Sequence, residues 1–199
     1  MCNHYRMNPE AIPTWREYIG AAPYDGEWSD IKIDIWPKYQ AAIARIENGQ
    51  KMIDSIAWGV PFITAGKRPG ATVTKRVTNV RNLSSPFWQS MLNNPAQRCL
   101  VPFSSFAEPK PNGGREECWF RVTEAPVAAF AGIWRPSAEG NVFAFLTCEP
   151  NPLVAPIHPK AMPVILHPQD YERWLTGTYD EVIKLQSPFP SQLMELLPN

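Results

Sequence analysis

Clustered cysteine and histidine are missing from this sequence. The 199 residues include three histidines and four cysteines, and no two cysteines form a C-x-x-C pair. Because structural zinc sites need such clusters, we expect no metal site, and nothing in the sequence calls for a cofactor. Cys99, Cys118 and Cys148 lie in apolar, strand-like contexts typical of buried free thiols.

Long apolar runs and net charge are also missing. No segment approaches about eighteen uninterrupted apolar residues, and no apolar signal region follows the polar first residues, so we expect no membrane span. We expect a cytoplasmic protein, associated with the nucleoid if it is bacterial and nuclear if it is eukaryotic.

The chain has no net charge, because Lys plus Arg and Asp plus Glu each number 19. Any binding to nucleic acid must therefore come from a local patch of charge.

Proline is abundant, and its distribution predicts the architecture. The 22 prolines are dispersed, which favours many short elements joined by fixed turns. Asn48-Gly49 between two alternating stretches predicts a hairpin, and the chain is β-rich from Arg98 onward. The expected fold class is α+β, one domain over 1–199, with a mostly antiparallel, curled or barrel-like sheet and peripheral helices. Helices are predicted at 8–20 (capped by Asn8), at 85–93, and in "PQDYERWLTG" and "YDEVIKLQ"; strands are predicted at 41–47, 51–58 and "AMPVILH".

Cys2 has an unusual position in the chain. A first methionine followed by a small residue is normally removed, which would leave Cys2 with a free α-amine beside its thiol. The two groups titrate near ~8 and ~8.5, so both are partly nucleophilic at neutral pH. One residue would then carry two nucleophiles two carbons apart.

Three further stretches contain candidate functional residues. "KRVTNVRNLSS" (75–85) reads as a loop whose cations and amides could hold phosphate, or as an ordinary solvated loop. Glu108 lies among apolar and proline residues, which would raise its pKa and suit a general acid or base; the alternative is an edge-strand glutamate facing water. His158 lies among prolines that fix the backbone and therefore the direction of its imidazole, which a proton shuttle needs. The alternative is a structural histidine. His4 and His167 are assigned structural roles, although His4 is close enough to Cys2 in sequence to affect the environment of its thiol.

Together these stretches resemble a known family. In order along the chain they are "MC" at the start, "WG" at Trp58, "N-x-R" at Asn79, "RCLVP…F-x-E" ending at Glu108, and "IH…MPVIL" from Ile157. The chain resembles the SOS-response-associated peptidase (SRAP) family, whose members shield abasic sites in single-stranded DNA. The resemblance spans nearly the whole length.

The resemblance implies a function for each matching residue. Cys2, freed of Met1 (with autoproteolytic removal possible), would be the nucleophile that closes a thiazolidine with the ring-opened aldehyde of an abasic site. Asn79 would position the amine or the sugar, and Glu108 and His158 would move protons. The implied partner is single-stranded DNA containing abasic sites, bound by a monomer. The implied DNA contacts are Arg81, with Lys75, Arg76, Arg98 and Lys160 as neighbours, and Pro37 in "WPKYQ" near the site.

The sequence departs from the family pattern beside the nucleophile. Asn3 and His4 follow Met-Cys where the family usually has Gly-Arg, and "VPFITAGKRPGATV" replaces a tryptophan-bearing stretch after "WG". Two alternative functions stay open. One is an N-terminal-nucleophile cysteine peptidase or amidohydrolase using Cys2 on peptides or amides. The other is a non-catalytic module that binds single strands.

Overall fold

Short strands dominate the architecture. The computed structural model describes residues 2–23 and 32–198, which contain fifteen strands and four short α-helices. In chain order the strands are β1 (His4–Arg6), β2 (Asp34–Ile35), β3 (Gln40–Glu47), β4 (Gln50–Trp58), β5 (Val60–Ala65), β6 (Thr72–Val77), β7 (Asn79–Val80), β8 (Arg98–Phe103), β9 (Ser105–Pro109), β10 (Glu117–Val122), β11 (Ala128–Ser137), β12 (Gly140–Cys148), β13 (Met162–Pro163), β14 (Ile165–Leu166) and β15 (Met194–Leu196). The helices are α1 (Ile12–Tyr18), α2 (Pro86–Asn93), α3 (Tyr171–Thr176) and α4 (Tyr179–Val182).

Five strands close into a barrel. β12 pairs with β4 in parallel, and the antiparallel pairs β4–β3, β3–β8, β8–β11 and β11–β12 complete the ring. Phe130 stacks on Phe103 with ring centroids 3.8 Å apart and lies 4.7 Å from Phe145, all three fully buried. Each such ring stabilises the fold by roughly 1.5–3 kcal/mol on burial. The predicted α+β class with a barrel-like sheet is confirmed.

A second sheet packs on the barrel and holds the first strand of the chain. Its order is β15-β10-β9-β1-β2. Tyr5 pairs with Phe106, which pairs with Phe120, and all three side chains are buried on the inner face. Tyr5 also meets Trp58 of the barrel edge to face, with centroids 5.2 Å apart. These aromatic contacts fix β1 against the barrel.

A two-stranded ribbon completes the sheets. β5 and β6 pair antiparallel from Val60↔Val77 to Ala65↔Thr72. The prediction of a loop over 75–85 was therefore wrong for Lys75 and Arg76, which lie in β6, and for Asn79–Val80, which form β7. Cross-strand hydrogen bonds to β5 override the weak apolar periodicity in β6.

Other predicted elements were confirmed. Asn48 (φ 51°) and Gly49 (φ 78°) form the turn of the β3–β4 hairpin. Asn8 accepts a hydrogen bond from the Glu10 backbone N–H, a short 3-10 turn leads into α1, and Gly20 (φ 66°) follows the helix. Helices also form at α2, α3 and α4, while "AMPVILH" is divided into β13 and β14. The internal cysteines Cys99, Cys118 and Cys148 are buried free thiols, as expected. Among the described residues, no helix is long and apolar enough to cross a membrane.

Candidate active site at the amino-terminal strand

Cys2 lies just before β1 and is held by its backbone. The Asn79 side-chain amide donates to the Cys2 carbonyl at 3.0 Å and to the Thr78 hydroxyl at 2.7 Å. The Cys2 thiol, only 1 % exposed, donates to the His4 carbonyl over 3.4 Å. Asn79 itself is buried, in β7, which pairs with β12. The structure therefore brings two of the predicted residues, Cys2 and Asn79, into direct contact.

Glu108 lies on the inner face of the second sheet. It is two residues from Phe106 on β9, so both side chains leave the strand on the same face. Glu108 is 0 % exposed, and burial, together with the charge of Glu117, raises its pKa to about 7. The interpretation as a water-facing edge glutamate was wrong, and the prediction of a raised pKa is supported.

The charge of Glu108 acts on the Cys2 thiol. Burial raises the pKa of the Cys2 thiol well above its usual value, and the negative charge of Glu108 raises it further. The thiol therefore stays protonated at neutral pH. A carboxyl that titrates near pH 7 beside a neutral thiol can accept the thiol proton when the sulfur attacks.

His158 is fixed by a short loop before β13. Its Nδ1 lies 2.7 Å from the Ala161 carbonyl oxygen and 3.1 Å from the Ala161 backbone nitrogen. Burial lowers the pKa of His158, and the charge of Lys160 lowers it further. The neighbouring β13 pairs with β12 next to the residues that pair with β7, so His158 and Asn79 flank the same part of β12. Its imidazole is thus oriented and mainly neutral at pH 7.

The predicted DNA contacts have different environments. Arg76 forms ion pairs with Glu139, and Arg81 with Glu149. Lys75 and Lys160 are exposed, whereas Pro37 is half-buried in the turn between β2 and β3. Lys75 and Lys160 can therefore meet a phosphate as they stand, and the two arginines would exchange their carboxylate partners for it.

The assignment of Arg98 to DNA binding is corrected by the structure. Its side chain is 0 % exposed, and its guanidinium donates to the Trp174 carbonyl at 2.7 Å and the Gly177 carbonyl at 2.6 Å. Burial also lowers its pKa. Arg98 satisfies backbone acceptors at the end of α3 and has no surface for a strand to contact.

Sequence reasoning missed a cluster around His4. Its ring nitrogens lie 2.8 Å from Glu117 Oε2 and 2.9 Å from Asp34 Oδ1, and its ring stacks on Trp36 with centroids 3.8 Å apart. Trp119 packs edge-on against the same ring. Both nitrogens can donate to the carboxylates only as imidazolium. The available signal was alternation: "HYR" places His4 and Arg6 on one face of β1, and "ECW" places Glu117 and Trp119 on the same face of β10, with β9 between the two strands.

Asp34 is the most strongly held carboxylate of this cluster. It accepts a hydrogen bond from Arg6 Nε at 2.8 Å in addition to its contact with His4. Burial alone would raise its pKa, but the hydrogen bonds and charges of Arg6 and His4 outweigh burial and lower it. The Arg6 guanidinium also lies over Trp119, 3.8 Å from the ring centroid. Within the described ranges, no group of His, Cys, Asp and Glu side chains is arranged to hold a metal ion.

Comparison with known proteins identifies relatives over the whole length. The family model described as SOS response associated peptidase (SRAP) matches residues 1–198. No curated protein matches the chain. Similar solved structures include a protein from Bordetella bronchiseptica (23 % identity, TM-score 0.76, all of both chains covered) and one from Bacteroides thetaiotaomicron (21 %, 0.78, all of this chain and 93 % of the other). A phage-related protein from Bordetella bronchiseptica is 18 % identical, with a TM-score of 0.69, over all of this chain and 93 % of its own. At these identities the structures show a shared fold.

Proposed function

The chain belongs to the SOS response associated peptidase (SRAP) family, and from that premise we propose that it binds single-stranded DNA and crosslinks abasic sites through Cys2. Removal of Met1 frees the α-amine beside the thiol. The amine attacks the aldehyde of the ring-opened deoxyribose, and the thiol then closes a five-membered thiazolidine. One water leaves in the overall reaction.

Glu108 supplies the proton transfers of this sequence. Because the pKa of Glu108 is about 7, its carboxyl is protonated in a large share of the molecules at neutral pH. The acid gives its proton to the hydroxyl of the carbinolamine, which leaves as water and forms the iminium. The resulting carboxylate accepts the proton of the Cys2 thiol as the sulfur bonds to the iminium carbon. Glu108 ends as it began, so proton balance is kept within the site.

Asn79 and His158 orient the reactants. The Asn79 amide fixes the Cys2 carbonyl, which restricts rotation of the backbone that carries both nucleophiles. His158, with its Nδ1 held at Ala161, is assigned the proton transfer that opens the sugar ring. Asn79 lies on β7 and His158 in the loop before β13, and these two strands pair with neighbouring parts of β12.

Phosphate contacts hold the strand. Lys75 and Lys160 are exposed cations, Arg81 adds a guanidinium two residues after Asn79, and Pro37 is proposed as a further contact of the strand. Single-strand binding of this kind combines charge with stacking of bases on exposed rings, such as Trp36, and weakens with salt.

The observation that carries the proposal is the buried Glu108 carboxyl acting on Cys2 beside Asn79. The test is incubation with a single-stranded oligonucleotide bearing one abasic site, followed by a denaturing gel. Cys2→Ala should abolish the denaturant-stable adduct, and Cys2→Ser should reduce it strongly because oxygen is the poorer nucleophile. Cys99→Ala, at another fully buried cysteine, should keep it. An adduct that persists in Cys2→Ala overturns the proposal.

A peptidase or amidohydrolase using the same thiol is the second candidate, favoured by the description of the family. Thiol hydrolases attack as thiolates, usually with a lowered pKa. The raised pKa of Cys2 opposes that chemistry and agrees with a sulfur that adds late to an iminium. Turnover of an amide substrate by the processed chain, without preference for abasic strands, would favour the hydrolase.

A further inference from the structure

The β5–β6 ribbon has positively charged side chains and no negatively charged ones. Residues 60–77 contain two lysines, two arginines and no carboxylate, although the chain as a whole has no net charge. Its turn, 66–71, is closed by a backbone hydrogen bond from Gly66 N–H to the Ala71 carbonyl at 2.7 Å. The ribbon therefore concentrates positive charge on a rigid, paired element.

Three of the four cationic side chains of the ribbon form no ion pair with a carboxylate of the described residues. Arg76 is ion-paired with Glu139 and also donates to the Gly59 carbonyl at 3.1 Å. Lys67, Arg68 and Lys75 are exposed, and no carboxylate of residues 2–23 or 32–198 lies within ion-pair distance of them. Their charge is therefore available to an external anion. Two of the three, Lys67 and Arg68, lie at the turn.

The base of the ribbon adjoins the candidate active site. β6 ends one residue before Thr78, whose hydroxyl lies 3.4 Å from the Asn3 side-chain oxygen. β5 begins directly after Gly59, where an added Cβ would lie 3.1 Å from the Arg76 Cβ. Near this end, Phe62 packs edge to face on Phe87 of α2, with centroids 5.1 Å apart. The ribbon thus starts beside Cys2 and is anchored there.

Geometry gives the distance between the site and the turn. Each strand has six residues at about 3.3 Å per residue, so the turn lies roughly 20 Å from the base. Stacked nucleotides rise about 3.4 Å each along a strand, so the turn is about six nucleotides from the reacting sugar. Between base and turn, Ile63 is 68 % and Val73 47 % exposed, which offers apolar surface to bases.

We propose that Lys67 and Arg68 bind phosphates of the substrate strand about six nucleotides from the abasic site, on one side of it only. This inference rests on the proposed function, and it makes the affinity for the substrate strand depend on the length of its flank on one side of the abasic site. A strand with a short flank on that side reacts without using the ribbon turn. A strand with a longer flank binds more tightly.

The test measures equilibrium binding without crosslinking. The probes are labelled single strands with one reduced abasic site, which has no aldehyde, flanked by about three nucleotides or extended to about ten on the 5′ or the 3′ side. Fluorescence anisotropy gives Kd between about 50 and 200 mM salt. Extension on one side should tighten binding, and Lys67→Gln/Arg68→Gln should remove that gain. The same double variant should also reduce the steepness of the plot of log K against log salt concentration by about 1.4. Each phosphate contact on a single strand contributes about 0.7 to that slope, and the variant removes two.

A matched control uses the turn of another hairpin. Lys110→Gln/Arg115→Gln removes the same charges between β9 and β10, where Lys110 is already paired with Glu116, and should leave the length gain intact. A gain that survives in the ribbon variant, or falls equally in the control, overturns the inference. If crosslinking occurs without any length gain, the ribbon inference alone fails. If the length gain occurs without crosslinking, the proposed chemistry alone fails.

Discussion

The two faces of the sheet that holds β1 give their carboxyl groups opposite properties. On the inner face, Glu108 lies beside aromatic side chains, and burial raises its pKa to about 7. On the outer face, Asp34 is bonded to Arg6 and His4, and these partners lower its pKa. The two environments lie on opposite faces of one sheet, because alternate residues of a strand point to opposite faces.

The difference shows which face can perform acid–base chemistry. A carboxyl that titrates near neutral pH can both give and take a proton, whereas one held ionised by cations contributes structure and charge. Glu117 connects the two faces, since it contacts His4 on the outer side while its charge raises the pKa of Glu108. The comparison therefore supports the proposed acid–base role of Glu108 and agrees with a positioning role of the His4 cluster on β1.

The largest expected effect is on crosslinking by Glu108→Gln. The amide cannot donate to the leaving hydroxyl or accept the thiol proton, so adduct formation should slow by about 10²–10⁴-fold. Glu117→Gln is the matched control on the neighbouring strand and should slow the reaction far less. Rates come from quenched time points on denaturing gels. Equal losses in the two variants would remove the distinction between the faces.

The second prediction concerns stability and pH. Because the pKa of Glu108 is higher in the folded chain than the usual ~4.3 of the unfolded chain, its stabilising contribution is complete below about pH 4.3 and is lost as pH rises through about 7. The free energy of unfolding should fall by roughly 4 kcal/mol across that window, at about 1.4 kcal/mol per pH unit. Urea unfolding at a series of pH values measures it.

On the outer face, the free energy of unfolding should change with pH in the opposite direction, and at lower pH. The lowered pKa of Asp34 stabilises the fold above about pH 4, and that stability is lost as pH falls through the folded pKa. Glu108→Gln should remove the neutral-pH slope and leave the acid one. Parallel curves for the variant and the unchanged chain would show that Glu108 is not the titrating group.

The smallest expected effect is a shift of the pH profile by Glu117→Gln. Removing the charge of Glu117 relieves one cause of the raised pKa of Glu108, so the midpoint of the crosslinking profile should move to lower pH, by less than about one unit. Initial rates at a series of pH values test this. A shift to higher pH would contradict the assigned electrostatics.

Local signals explain what the sequence could predict. Asn48-Gly49 sets its own hairpin through left-handed backbone angles, and Asn8 caps a turn two residues away. Glu108 could be predicted to have a raised pKa because its neighbours on β9 are apolar. In each case the relevant partners are close in sequence.

Long-range contacts explain what could not be predicted. Arg98 resembles a surface cation, yet its acceptors lie 76 and 79 residues away in sequence. The structural role predicted for His4 agrees with its contacts, but its carboxylate partners Glu117 and Asp34 could not be predicted because they come from two other strands. Lys75 was placed in a loop because its β5 partner, Phe62, lies beyond an unrecognised turn. Only the folded chain brings these groups together.

The central claim is that the amine and thiol of Cys2 together capture the sugar aldehyde. Intact-mass spectrometry of the chain, purified from its own cell and incubated with an abasic single strand, tests it most directly. The account predicts a chain without Met1 and a product whose mass is the sum of chain and strand less one water. A chain that retains Met1, or no product of that mass, would contradict it.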